Sequence, residues 1–315
     1  MGAKGLGSRA IIGEFYARLE QNVGVEWVLK ISPPKPFKSD QESETYKWLG
    51  MAPTMREWIG GRHAKGFREN GITVVNKKFE ATLEVLCDEI RRDKTGQVMT
   101  RVREMADRAN AHWASLLSTL ILNGATGVCY DGDYFYGDAH AEGDSGIQDN
   151  NISVDVAITT APTAAEMQTC IFSAIAAIVS FKDDKGEPMN ENATEFLVMV
   201  APSLFPVAAA ACKDFILTTG LPNIITATGF RVQPVANARF TTLTTSLDVF
   251  RTDGEVKPFI RQQELPENPD IPVELGYLAE GSELEFNEDK HHYGIKASRN
   301  AAYGYWQHAC RVTMT

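Results

Sequence analysis

QVMTRVREMADRANAHWASLLSTLILN, residues Gln97 to Asn123, is the stretch on which the reading of this chain turns. Val98, Val102, Met105, Ala106, Ala109, Trp113, Leu116, Leu117, Leu120 and Ile121 recur at steps of three and four. That spacing lines them along one face of a helix of about seven turns. Arg101, Arg103, Glu104, Asp107 and Arg108 fall on the wet side of its first half, and Gly124 closes it.

Downstream, Thr163-x-x-Glu166 after Pro162 is a capping box and predicts a second helix through MQTCIFSAIAAIVSF, ending near Asp183-Asp184-Lys185-Gly186. Residues 196–201 read as a buried strand, 206–217 as an Ala-rich helix and 229–236 as a short strand. The last seventy residues hold long extended runs, LDVFRTDGEVKPFIRQQ and HHYGIKASRNAAYGYWQHACRVTM. Helices and strands are mixed rather than alternating, so the fold class is α+β.

Upstream, Trp58–Arg68 and Ile72–Val85 read as two extended runs joined at Asn70-Gly71, a strong hairpin signal because both residues tolerate positive φ. The runs hold few apolar residues, and a lone hairpin is marginal in water, so it needs a surface to lie on. Residues 1–50 read as an arm with little core of its own. They contain one amphipathic set, IIGEFYARLE (11–20), and then Pro33, Pro34 and Pro36, which forbid a continuous helix. The expected tie for such an arm is another subunit.

With 315 residues, 43% apolar and 23% charged, the composition excludes disorder, collagen-like repeats and coiled coil. Five widely spaced cysteines contain no CxxC pair and no disulfide framework, which fits a reducing compartment. Neither a secretion signal nor a membrane segment is expected; the most apolar stretch, 196–212, is broken by Pro202 and Pro206. Net charge is −10, divided as +3 over residues 1–94 and −13 over 95–315. Copies that lay a mildly basic end over an acidic neighbour would gain from that division.

Three motifs invite a chemical reading. Gly143-Asp144-Ser145-Gly146 with His112 and Asp131 or Asp133 echoes a serine-protease triad, but His112 lies inside the long helix and a Gly/Asp/Ser cluster is more simply a loop. Asp131, Asp133, Asp138 and His140 offer a loose cation site, and a metal-assisted hydrolase built on loop 131–142 is the alternative function. As an EF-hand it fails, with Phe135 and Tyr136 where a ligand and a glycine belong. His291-His292 lie on opposite faces of an extended segment and read as a solvated loop or strand edge. No catalytic, cofactor or metal residue is assigned.

The segments APTMREWIGGRHAKGF (52–67), NKKFEATLEV (76–85), DEIRRDKTGQ (88–97), CYDGDYFYGDAH (129–140) and GYWQHACRVTMT (304–315) resemble the major head subunit of Mu-type tailed bacteriophages and prophages. The resemblance implies the Hong Kong 97-type capsid fold. It divides the chain into an N-terminal arm (1–57), an extended loop (58–87) and a peripheral domain (88–160) whose spine helix is about 97–123. An axial domain (161–246) and returning peripheral strands (247–315) complete it. It implies a non-enzymatic subunit of hexamers and pentamers in an icosahedral head around double-stranded DNA, located in the virion and assembled in the bacterial cytoplasm. A separate scaffold protein, portal and decoration proteins and non-specifically held DNA are the implied partners, with no membrane. The basic residues Arg56, Arg62, Lys65, Arg68, Lys77 and Lys78 are the expected inter-subunit contacts, and the shell is expected to be held non-covalently.

Overall fold

The computed structural model describes residues 7–21, 24–48, 70–92, 96–213, 225, 229–265 and 273–315. The decisive stretch is a single helix, α4, Gln97–Leu122. Its buried residues are Val98, Val102, Met105, Ala106, Ala109, Trp113, Ala114, Leu117, Ser118 and Ile121, the face given by the spacing; Leu116 and Leu120 are half-buried. The helix ends where Asn123 donates its N–H to Thr119 O and Gly124 to Ile121 O. Position 124 has to be glycine because a Cβ there would lie 2.4 Å from the Tyr136 ring.

The length of α4 joins two cores. Its first half packs with α1 (Ser8–Gln21), through Ile11, Phe15 and Leu19, and with Tyr293, Ile295 and Ala297. Its second half, Trp113, Leu117 and Ile121, enters the larger core. Residues 8–21 and 25–39 therefore contribute to the core, contrary to the expectation of an arm with little core of its own. The Arg18 guanidinium grips the Asp107 carboxylate with a fork at 2.7 and 2.9 Å, and Asn110 donates to Leu19 O. A second short helix, α2 (Glu26–Ile31), buries Trp27, Val28 and Ile31. The tie for this part of the chain is its own helix α4. Three anchors at i, i+4 and i+8 suffice for a short amphipathic helix, and the prolines that follow at 33, 34 and 36 conceal it.

One sheet is built on the 14-residue strand β11 (Lys290–Tyr303). On one side runs β4 (Lys77–Leu86), antiparallel from Leu86↔Lys290 to Lys77↔Arg299. On the other side lie β10 (Glu274–Leu278) and then β9 (Phe259–Glu264), and β1 (Phe37–Ser39) joins β9 in parallel. The second sheet has the order β5-β12-β8-β6-β7, from Asn151–Val154, Ala309–Met314, Ser246–Arg251, Glu195–Val200 and Arg231–Ala236. Helices α5 (Ala164–Ser180) and α6 (Phe205–Lys213) pack in its core, and α5 opens with the capping box of Thr163 and Glu166. Between the sheets the chain turns at Trp306–His308, where Trp306 is fully buried.

The hairpin departs from the expectation. Strand β2 (Ser43–Trp48) pairs with β3 (Asn70–Val75), in register Ser43↔Val75 to Trp48↔Asn70. Asn70-Gly71 is thus the start of a strand and not a turn, and the β-branched run that follows it pairs with residues preceding Trp48. The run Trp58–Arg68 lies outside the described residues. Locally, Asn-Gly satisfies a two-residue turn; the partner chosen by Ile72–Val75 lies more than twenty positions upstream, and sequence-local turn chemistry does not register it.

Candidate assembly surface and the buried polar groups behind it

The β2–β3 ribbon carries almost no core. Of its described side chains only Val74 is buried, and a Thr45–Thr73 hydroxyl pair at 3.0 Å crosses one face. What holds it is a clamp at its base. Asn76 donates to Ser39 Oγ at 3.1 Å and to Gln41 O at 2.8 Å. Gln262 donates to Val74 O and to Asn76 Oδ1, and Asn300 donates to Val75 O at 2.7 Å. The backbone polar groups of a ribbon with so small an apolar anchor are fixed by amide side chains from β9 and β11. Asn76→Ala should loosen this base alone. Amides of 43–48 and 70–75 are expected to exchange about tenfold faster, the equivalent of about one lost hydrogen bond, with those of α5 unchanged. Hydrogen exchange read by mass spectrometry checks it.

Beyond the clamp, β4 has a single strand neighbour among the described residues, β11. Seven of its ten side chains are exposed, and among the described residues one of its sides carries no strand, which marks it as an edge. Lys77 and Lys78 stand exposed at its start, opposite Arg299 and Ser298, and neither forms an ion pair among the described residues. Farther along, Glu84 is held below the ordinary carboxylate range by hydrogen bonds from His292 and Lys290. Arg56, Arg62, Lys65 and Arg68 lie outside the described residues, so the structure places two of the six basic positions on this surface.

The chemical motifs are spent on folding. Asp131 Oδ1 accepts the Asp133 N–H, and its Oδ2 meets His140 Nδ1 at 2.6 Å with both side chains buried. Asp133 accepts the N–H groups of Tyr134 and Ala139. The His140 ring stacks on Trp306 at 3.9 Å; Phe135 and Tyr136 are buried beneath the loop and Tyr134 stays exposed. Loop 131–142 is a hydrogen-bonded plug, and the hydrolase reading has no open ligand set there. Ser145 Oγ donates to Gly146 O and accepts the Glu142 N–H. His112 instead packs its ring on Phe79 at 4.4 Å, where burial, then Arg299 and Arg239, push it down to about 4. His291 is buried rather than solvated, while its neighbour His292 is half-exposed against Glu84. The two do alternate along β11 as expected, but one of its faces is core.

Two buried charge sites go beyond what the sequence pattern suggests. Arg311 forks onto Asp248 at 2.8 and 3.1 Å and donates from the same end to Ile121 O, one of the last carbonyls of α4. Its guanidinium lies 4.1 Å from the Tyr136 ring. Despite the burial cost, the Asp248 charge keeps Arg311 firmly protonated, with its pKa raised. Arg261 and Arg299 flank the Trp113 ring at 5.3 and 5.0 Å; burial, which dominates, pushes each down to about 10. A lone Asp in LDVF and a lone Arg in CRVTM are the available signal: one charge of each sign, each inside an otherwise apolar run.

Comparison with known proteins agrees with this architecture. Residues 34–163 match the family described as Mu-like prophage major head subunit gpT. The major capsid protein of Escherichia phage Mu is 34% identical over 102 residues, 32% of this chain and 33% of that protein. The chain thus aligns with about a third of the length of the curated relatives it matches. Among solved structures, the procapsid of bacteriophage JBD30 is similar over 97% of this chain and 74% of that one, with 20% identity and a TM-score of 0.53. The capsid of cyanophage P-SCSP1u is similar over 93% and 88%, with 11% identity and a TM-score of 0.55. A long helix bridging two cores, a base-clamped ribbon and two sheets therefore form the Hong Kong 97-type phage capsid fold, and within it residues 34–163 are similar to the Mu-like prophage major head subunit family.

Proposed function

We propose that this chain is a major capsid protein that assembles through hexamers and pentamers into an icosahedral head around double-stranded DNA. The observation that carries it is a β2–β3 ribbon and an edge strand β4 with almost no buried side chains among the described residues, on a capsid fold. Such elements find their cover on other copies, through heterologous contacts that close into rings and a shell. The charge division supports the same reading: basic residues Arg56, Arg62, Lys65, Arg68, Lys77 and Lys78 would meet the acidic body of a neighbour. A net acidic container also holds packed DNA without gripping it. A separate scaffold, a portal and a decoration protein are the partners this role calls for, with assembly in the host cytoplasm and no covalent crosslink between subunits.

The test reverses Arg62, Lys65 and Arg68 to Glu together. One exposed ion pair contributes only about 0–1 kcal/mol, so a single change is tolerated, but three reversals repeated at every contact replace attraction by repulsion. The variant is expected to show normal circular dichroism and to form no shells by electron microscopy at low salt, with partial recovery when salt screens the repulsion. Normal heads at low salt would refute the interface assignment. A wild-type chain that remains monomeric with and without co-expressed scaffold would refute the capsid role.

A further inference from the structure

At the end of β4 and the start of β11, three side chains of different chemistry converge. The thiol of Cys87, a carboxylate oxygen of Glu285 and a ring nitrogen of His291 all lie within 4.8 Å of one another. Cys87 opens the short helix α3 (Cys87–Arg92), which follows β4 directly, and its N–H donates to Asp289 O. Glu285 stands in α7 (Glu283–Glu288), whose end turns through Asp289 into β11. His291 is the second residue of β11, opposite Val85. These are residues close in space and far apart in sequence, 87 against 285 and 291.

The donors are already oriented. Glu285 Oε2 accepts the Gly281 N–H at 2.7 Å, which leaves Oε1 facing His291 Nε2 at 3.4 Å. That separation is close to the edge of a tetrahedron whose ligand bonds are about 2.0–2.2 Å. His291 is 4% exposed, and its Nε2 has no hydrogen-bond partner, an expensive state for a buried nitrogen. Its Nδ1 faces Tyr293 Oη at 3.5 Å, on the far side of the ring. Cys87 is 3% exposed. The aspartates 131 and 133 of loop 131–142, by contrast, are committed to backbone amides and to His140, whereas here His291 Nε2 is unspent and the Cys87 thiol has one hydrogen bond, to Asp289, to exchange.

We infer that Cys87, Glu285 and His291 form a three-ligand site for a borderline-soft divalent cation, zinc(II) in character, that ties α7 and the start of β11 to the end of β4. One thiolate, one imidazole and one carboxylate select zinc or cobalt(II) over magnesium or calcium, which demand all-oxygen ligation. Binding exchanges the thiol proton for the metal: the S–H bond breaks, an S–metal bond forms and the proton passes to solvent. Three protein ligands leave the fourth position to water. The function served is mechanical. α7 has no buried residue of its own, and the clamp would fix it where the edge strand β4 ends.

Cobalt(II) titration of the metal-stripped full chain tests it, with circular dichroism recorded throughout. Wild type is expected to bind one equivalent, showing a thiolate-to-cobalt charge-transfer band that zinc displaces. Cys87→Ala should lose the band, and His291→Gln should weaken binding by at least about tenfold, since even outer-shell losses around a metal cost that much. Glu84→Gln, whose carboxylate pairs with His292 and Lys290 rather than with the three ligands, serves as the folded control and should bind as wild type. An absent band in wild type, or one that persists in Cys87→Ala because another thiol supplies it, would overturn the site. If Cys87→Ala fails to fold, Cys87→Ser is expected to lose the same band and His291→Gln to keep its tenfold loss; wild-type binding by either would overturn the site equally.

Discussion

Arg311→Met is expected to destabilise the unassembled chain by about 3–5 kcal/mol, the cost of stranding one half of a buried ion pair. Asp248 is fully buried, and losing the guanidinium removes the counter-charge that both its carboxylate oxygens face. The Ile121 carbonyl at the end of α4 loses its donor as well. A domain is typically stable by only about 5–15 kcal/mol, so this one change removes a large fraction. Asp248→Leu combined with Arg311→Met should recover most of the loss, because a buried pair replaced by apolar residues of similar volume is often neutral. Urea midpoints of wild type and the two variants decide it; a double variant no more stable than Arg311→Met alone would mean the pair acts through packing and not charge.

A second large effect is expected from pH. His308 is 1% exposed and sits near Arg251 and Lys257; burial first, then those two cations, push it down to about 3, against a weaker opposing pull from Asp253. An imidazole whose folded pKa lies below its unfolded value of about 6.5 contributes stability that is complete above pH 6.5. As pH falls from there toward 3, the unfolded chain takes up a proton that the folded chain refuses. The stability lost is about 1.4 kcal/mol per pH unit, or about 2.7 kcal/mol between pH 6.5 and 4.5. His112, pushed down to about 4 but half-exposed, adds a smaller loss of the same sign in the same window. The carboxylates held low, Glu84, Glu166, Asp253 and Glu280, begin to contribute only below that window. His308→Gln should flatten most of the slope between pH 6.5 and 4.5; a variant as steep as wild type would place the proton elsewhere.

The path from residues to function is legible where the signal is local. The face of α4, the capping box at Thr163 and Glu166 and the buried strand Glu195–Val200 depend on neighbours within a few positions, and each forms as its pattern predicts. The plug 131–142 has the composition of a polar turn over packed aromatics, and its aspartates do bind their own backbone. The Asn70-Gly71 turn does not form because two local solutions fit the same dipeptide, a turn or a strand end, and the choice belongs to a distant partner. The short helix at Ser8–Gln21 is faint in the sequence because its worth lies in the groove of α4 that receives it.

By itself the sequence determined the α+β class, the long helix, the order of elements and the division of charge, since periodicity, caps and composition are written into adjacent residues. Tertiary structure alone decided that α4 joins two cores, that β2 partners β3, and that Asn76, Gln262 and Asn300 clamp the ribbon. It also decided that Asp248 meets Arg311 and that Cys87 meets Glu285 and His291. The physical reason is one of range. A hydrogen bond or ion pair acts over about 3–4 Å, and only the folded backbone brings residues about sixty or two hundred positions apart within that reach.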